Sequence, residues 1–304
     1  MKIAFLLPDS RSTGVVYYTL NLYSNISLEK EIIPKDSREM SLLCYLKQIL
    51  NSSAELFHLQ LEPRFFKSVC KLIFLPLLAL IIKKLKKRKL IITCHAILHR
   101  DDLKALLKDI KDKTLLAIPR PILWALYIAV NKLTLNFADR IIIHNNLMSR
   151  YLAHLLGRKS HSKIRVVPHG TTITLSKSIF HRRLRNPPII MYMGFIRSNR
   201  DLISVIEAFN IVKRRIADIK LWLLLFASTN RYSSEQLRSL LIEIIRRSKQ
   251  FKDVELIINP DESTIKKVLS EATIGVLPYK EKTLESSGIA WRYAGIGIPF
   301  ISTR

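Results

Sequence analysis

Three stretches of the chain carry residue types able to hold or react with an anionic or hydroxylated ligand. The first is "ESSG", residues 285–288, which follows the apolar run "TIGVLPY" and opens a short helix carrying Arg292. The hydroxyls of Ser286 and Ser287, Gly288 and the N–H groups of a helix start can together receive a phosphate. Glu285 would repel that phosphate but accepts hydrogen bonds from the hydroxyls of a sugar. The same residues also fit a plain helix cap by Ser286 or Ser287. The second stretch holds Arg197 and Arg200, just after the run "IIMYMG", where guanidinium groups can grip a diphosphate bidentately or stand as solvated loop charge. The third is "STG", residues 12–14, after the first apolar run, where Gly14 fits either an anion seat or an ordinary turn.

Histidines add a fourth signal. His95 ends the run "KLIITCH" and is expected to face a ligand, donating to a hydroxyl or a phosphate. His99 lies one helical turn further on, and His169 in "VVPHG" reads as a structural turn residue. No group of histidines, cysteines and acids falls at metal-ligand spacing, so no metal and no cofactor are expected.

These residues need a scaffold, and the apolar pattern supplies one. "KIAFLLP", "ELFHLQ", "KLIITCH", "DRIIIHNN" and "KIRVVPHG" are strand-length apolar runs with helical stretches between most of them, the mark of βα units and a parallel sheet. "SIFHRRLRNPP", residues 178–188, breaks the pattern with four basic residues and a Pro-Pro pair, and reads as a linker. Beyond it strands "IIMYMG", "KLWLLLFA", "VELIIN", "TIGVLPY" and "PFIST" alternate with helices at 201–215, 234–247, 262–271 and 288–295. The expected architecture is α/β, with a Rossmann-like domain over residues 1–177 and a second over 189–304. Tandem domains of this type place a ligand in the cleft between them, at the carboxyl ends of the strands.

The bulk numbers bound the partners. With 304 residues and 48% hydrophobic content the chain is globular, and 50 Lys and Arg against 24 Asp and Glu give a net charge of +26. Such a surface attracts polyanions: nucleic acid, anionic membrane or phosphorylated substrates. No zinc finger, RNA-recognition signature or basic-aromatic repeat supports nucleic acid beyond charge alone. Three scattered cysteines without CxxC spacing fit a reducing, cytoplasmic setting. The longest apolar run, residues 72–82, is about half a membrane span and contains Pro76, so no transmembrane helix is expected. In "KLIFLPLLALIIKKLKKRK" that run leads into six basic residues within 83–89, a pattern suited to an anionic membrane surface. "PILWALYIAV", residues 121–130, can join the same surface. A buried helix with a solvated basic end is the plainer alternative.

In order and spacing, "KIAFLLPDSRSTGVVYYTLNL", "HLQLEP", "IITCHAILHRDDL", "ADRIIIHNNLMSRYL", "KIRVVPHG", "MGFIRSNRDLISVIEAFNIV", "EATIGVLPY" and "SSGIAWRYAGIGIPFIST" resemble a GT-B glycosyltransferase of the retaining family 4 (glycosyltransferase group 1) branch. The resemblance spans nearly the whole chain. It implies metal-independent transfer of a hexose from a UDP- or GDP-linked sugar to an acceptor hydroxyl with retention, by front-side attack in which the leaving diphosphate helps take the proton. The carboxy-terminal domain would hold the nucleotide sugar and the amino-terminal one the acceptor; docking of the apolar-basic segment at the inner face of the membrane would suit a glycan or lipid-linked acceptor. His95 matches the family's strand-end histidine near the transferred sugar, and with Glu285 makes the catalytic pair. Gly14, Arg197, Arg200, Ser286, Ser287, Gly288 and Arg292 would bind the donor.

This sequence departs from the family pattern at four places, one being Phe195, where the family has an arginine directly after the glycine and for which Arg197 would substitute. Arg200 stands where the family usually has lysine. Arg292 stands where it usually has the second of two glutamates eight apart, the first place falling at Leu284, one residue before Glu285. After "PFIST" the family normally continues, so the second domain is expected to be truncated, with an exposed sheet edge or a partner supplying the missing part. A catalytically inactive remnant or half-enzyme, binding a membrane or a partner, is the alternative this raises.

Overall fold

The computed structural model describes residues 1–7, 14–34, 41–62, 69–97, 117–171, 187–196, 200–226, 235–280, 284–285 and 287–303. They form two compact α/β units. The first comprises Met1–His169 with Thr283–Ser286, and the second Gly170–Lys282 with Ser287–Arg304.

In the first unit, strands β1 (Lys2–Leu6), β2 (Glu29–Ile33), β3 (Leu56–Leu61), β4 (Lys89–Cys94), β6 (Arg140–Ile143) and β7 (Ile164–Val166) make one parallel sheet in the order β2-β1-β3-β4-β6-β7. Helices α1 (Gly14–Asn25), α2 (Leu42–Asn51), α3 (Val69–Leu80), α4 (Arg120–Asn136) and α5 (Asn146–Leu156) connect them. A parallel sheet is covered on both faces, which is why β1, β3 and β4 are apolar almost throughout and buried at nearly every position. Sequence periodicity missed β2, "EKEII", because it is an edge strand with charges in place of an apolar run; Glu31 pairs with Lys2 at 3.3 Å. Helix α3 runs through Pro76 and continues into a π turn, Ile81–Leu85. Burial of Leu75, Leu78, Ala79 and Ile82 against the sheet holds the helix despite the N–H that proline lacks.

In the second unit, β8 (Ile189–Phe195), β9 (Lys220–Phe226), β10 (Val254–Ile258), β11 (Ile274–Leu277) and β13 (Phe300–Ser302) form a parallel sheet in the order β10-β9-β8-β11-β13. Helices α6 (Leu202–Lys213), α7 (Glu235–Ser248), α8 (Glu262–Glu271) and α9 (Gly288–Gly295) alternate with them. Asp201 caps α6 from outside and Asp261 caps α8, accepting from the Ser204 and Thr264 N–H groups. Helix α9 stops at a turn in which Gly297 takes φ 66°, a backbone conformation that favours glycine, before β13. The edge strand β13 is exposed along its length, with Ile301 at 62%. Most of the expected linker, residues 178–186, lies outside the described residues.

His58 sits in the middle of β3, against the Phe5 ring, and its Nε2 shares a hydrogen bond of 2.7 Å with Thr93 Oγ1 on β4. Burial holds its pKa down from 6.5 to about 4. Between those values the unfolded chain binds a proton that the folded chain refuses. Stability is therefore complete above 6.5 and falls as pH drops through the window, by about 3 kcal/mol at its lower end. Urea midpoints measured from pH 7 to pH 4.5 should decline accordingly, and His58→Gln should flatten that slope.

Candidate functional site

The carboxyl ends of β3, β4, β6 and β7 lie side by side, and the first polar residues past them gather there. The His95 N–H extends the ladder by donating to the Leu61 carbonyl at 3.0 Å, and the Val167 N–H does so to Ile143 at 2.8 Å. These main-chain bonds carry the side chains of His95 and His144 out of the apolar strands into a common position. The Tyr18 ring, from α1, stands among three imidazoles, at 4.9 Å from His95, 5.4 Å from His144 and 4.8 Å from His169. The His144 ring lies 5.2 Å from that of His95 and 5.1 Å from that of His169.

Polar contacts fix two of these rings. Nε2 of His95 lies 2.8 Å from Oε1 of Gln60 on β3. Nδ1 of His144 lies 2.9 Å from the Val167 carbonyl and must donate to it, which leaves Nε2 as the lone-pair nitrogen of the neutral ring. Burial pushes the His144 imidazole below its usual range, partly offset by that bond, and pushes the Tyr18 phenol up. Glu62, just past β3, is also buried.

Next to this basin a two-residue strand, β5 (Ala96–Ile97), pairs antiparallel with β12 (Leu284–Glu285), joining Leu284 to Ile97 and Glu285 to Ala96. The main chain of Glu285 is thereby set beside the residue that follows His95. Sequence reasoning named both residues but could not foresee the pairing.

In the second unit, Arg200, Tyr279 and Ser287 form a chain at the carboxyl ends of β8 and β11. The Arg200 guanidinium carbon lies 4.0 Å from the centre of the Tyr279 ring, and the two residues share an antiparallel bridge. The Tyr279 and Ser287 hydroxyls are hydrogen-bonded to each other. Ser287 Oγ also accepts from the Ala290 N–H at 3.2 Å, so this serine is the cap of α9. Gly288 opens that helix and Arg292 lies one turn along it. Lys280 pairs with Asp201 at 3.3 Å behind them. Arg197 and Ser286 lie outside the described residues. Gly14 is the first residue of α1, and a Cβ there would meet nothing within 4 Å, so packing does not require the glycine.

The residues missed from sequence are Tyr18, Gln60, Glu62 and His144, and His169 belongs to the cluster as more than a turn residue. A signal existed for His144: "IIIH" ends its strand just as "ITCH" does. Glu62 likewise follows the end of its strand, whereas Tyr18 and Gln60 come from a helix face and a strand interior, where only the packing reveals them.

A second feature lies at the amino edge of the same sheet. An open cavity of about 580 Å³ is lined by Lys83, Lys84, Asn136, Asp139, Arg140 and Lys163, among others. Asp139 is held by Lys83 at 2.7 Å and by the Leu90 N–H at 2.8 Å. Beside it α3 packs on α4, and both present exposed apolar side chains: Ile73, Leu77 and Leu80 at helical spacing, then Leu85, and Ile122 and Leu133 on α4. Among the described residues no helix is long and apolar enough to cross a membrane, and no group of three ligating side chains could hold a metal.

Comparison with family models and with curated proteins gives no match. Solved structures do match. One described as trehalose-6-phosphate from E. coli bound with UDP-2-fluoro glucose aligns with a TM-score of 0.59 at 10% identity, over 99% of this chain and 84% of that one. A glycosyltransferase from Rickettsia africae ESF-5 aligns with 0.54 at 14%, over 100% and 79%. Against the Gap123 glycosylation-associated complex from Streptococcus agalactiae, at TM-score 0.47 and 13% identity over 86% of this chain, the chain spans 45% of the other's length. At these identities the likeness establishes the fold: the chain carries the two parallel α/β sheets of GT-B glycosyltransferases.

Ser287→Ala removes both the cap of α9 and the partner of the Tyr279 hydroxyl. It should lower the urea stability of the second unit by about 1 kcal/mol, with near-native far-UV dichroism.

Proposed function

We propose that the chain is a metal-independent retaining glycosyltransferase of the family 4 type, which moves a hexose from a UDP- or GDP-linked donor to a hydroxyl of a glycan or lipid-linked acceptor. Residues 1–177 serve as the acceptor side, 178–188 as the linker and 189–304 as the nucleotide-sugar side. The observation that carries this reading is the β5–β12 pairing, which anchors the loop that the resemblance assigns to the sugar diphosphate beside strand-end His95. The stacking of Arg200 on Tyr279 supports the donor half, since it holds a cation at the carboxyl edge of the second sheet.

The chemistry follows from the charges. As the bond from the sugar's C1 to the leaving diphosphate breaks, the acceptor oxygen bonds to C1 on the same face. The acceptor proton passes to the departing phosphate oxygen. Negative charge grows on that phosphate, so Arg200, with Arg197, Ser286, Ser287 and Gly288, stabilises the transition state more than the bound donor. His95 and Glu285 orient the transferred sugar. Arg292 adds a cation where the family usually carries a carboxylate.

Arg200→Ala should weaken binding of the UDP- or GDP-sugar about tenfold or more by calorimetry at moderate salt. Arg247→Ala should leave it unchanged, because Arg247 is engaged with Glu243 and Glu207 on a helix surface. Equal losses would sink the assignment.

The lipid side of the reading rests on the α3–α4 face. Its apolar stripe can enter the acyl boundary while Lys84, Arg140 and Lys163 meet anionic headgroups at the cavity. Each basic residue near such a surface contributes about 1 kcal/mol. The protein should sediment with phosphatidylglycerol vesicles at low salt and not with pure phosphatidylcholine, and Leu77→Glu with Lys84→Glu should release it. Absence of sedimentation at low salt would remove the membrane from the proposal.

A further inference from the structure

Two buried polar atoms in the histidine basin have no hydrogen-bond partner: Nε2 of His144 and Nε2 of Gln60. Their residues are 2% and 0% exposed. Leaving such atoms unpaired costs about 1–3 kcal/mol each, so a native fold keeps them only where something completes them. Their chemistry is complementary. His144 donates through Nδ1 to Val167, so its other nitrogen can only accept. Gln60 accepts from His95 through Oε1, so its amide nitrogen can only donate. One ring, His95, stands between them, bonded to Gln60 and 5.2 Å from His144. The surrounding faces are aromatic: Tyr18, His95 and His169.

An acceptor and a donor on either side of His95, walled by rings, fit a ligand whose hydroxyls both give and take hydrogen bonds. A carboxylate or phosphate has no proton for His144, and an ammonium has no lone pair for Gln60. The geometry points to a subsite for ligand hydroxyls flanking His95, with His144 as hydrogen-bond acceptor on one side and Gln60 as donor on the other. This deepens the glycosyl-transfer reading and rests on it for the kind of ligand. The hydroxyls belong either to the acceptor or to the transferred sugar, and two probes tell them apart.

The experiment uses the full chain as wild type, His144→Phe and Gln60→Glu, with His58→Gln as a control outside the basin whose imidazole already bonds Thr93. His144→Phe keeps a ring and removes the acceptor. Gln60→Glu keeps the oxygen facing His95 and removes the donor. Folding of each is checked by thermal midpoint. Two probes are titrated: methyl α-glycosides of glucose, mannose and galactose by NMR line broadening, and UDP against UDP-glucose and GDP against GDP-mannose by calorimetry.

An acceptor hydroxyl predicts about tenfold weaker glycoside binding in both variants, with His58→Gln unchanged. A hydroxyl of the transferred sugar predicts instead that the affinity gained by the sugar over the bare nucleotide shrinks about tenfold in both. In either case, adding the ligand shifts the ¹⁵N resonance of His144 Nε2 in wild type. Ligand binding that is identical in all four proteins would overturn the subsite and leave a buried water as the occupant, as would failure of every glycoside and sugar nucleotide to bind. Glycoside binding that depends on His144, without any nucleotide-sugar binding, would keep the subsite and remove the donor reading.

Discussion

The constraint on which the rest of this molecule depends is that a parallel sheet must be covered on both faces. The central strands are therefore mostly apolar, and most polar side chains of the site appear where strands stop. In the first unit that rule pushes His95 and His144 just past β4 and β6 and brings Glu62 to the end of β3. Gln60 and His58 are the exceptions inside β3, and each is bonded to the next strand's residues: Gln60 to His95, His58 to Thr93. The site is a consequence of how the sheet excludes polar groups, not an addition to it.

Charge is separated along the same sheet. The carboxyl edge holds a basin of imidazoles and a phenol, where burial pushes the His144 imidazole down and the Tyr18 phenol up, each toward its uncharged form. The amino edge, where α3, the π turn and α4 end, holds the lysines and arginine around the open cavity. Cations are favourable at helix carboxyl ends, and here they can stay solvated. In the second unit the cation at the carboxyl edge is instead held in place, Arg200 by the Tyr279 ring, which is itself tied to the serine that caps α9.

The two-residue pairing of β5 with β12 has a different standing. It contributes few hydrogen bonds, yet it fixes the main chain of the loop holding Glu285 to the unit that holds His95. Immediately after it, Ser287 returns to the second unit as a helix cap. A glutamate and a serine two positions apart are therefore committed to different bodies, which separates the roles that "ESSG" suggested as one motif.

The sequence by itself determined the α/β alternation, the parallel order of apolar runs, the helices at 262–271 and 288–295 and the strand-end position of His95, because burial leaves its record in local composition. It was silent on β2, whose edge position tolerates charge, and on β5 and β12, which are too short to have a period. The histidine basin was legible only in part. His95 and His144 follow from one rule, whereas Tyr18, Gln60 and His169 join them from separate elements. Only the tertiary structure decided that convergence, and the pairing of 96–97 with 284–285, because contacts between distant segments depend on where whole strands come to rest and leave no trace in the residues beside them.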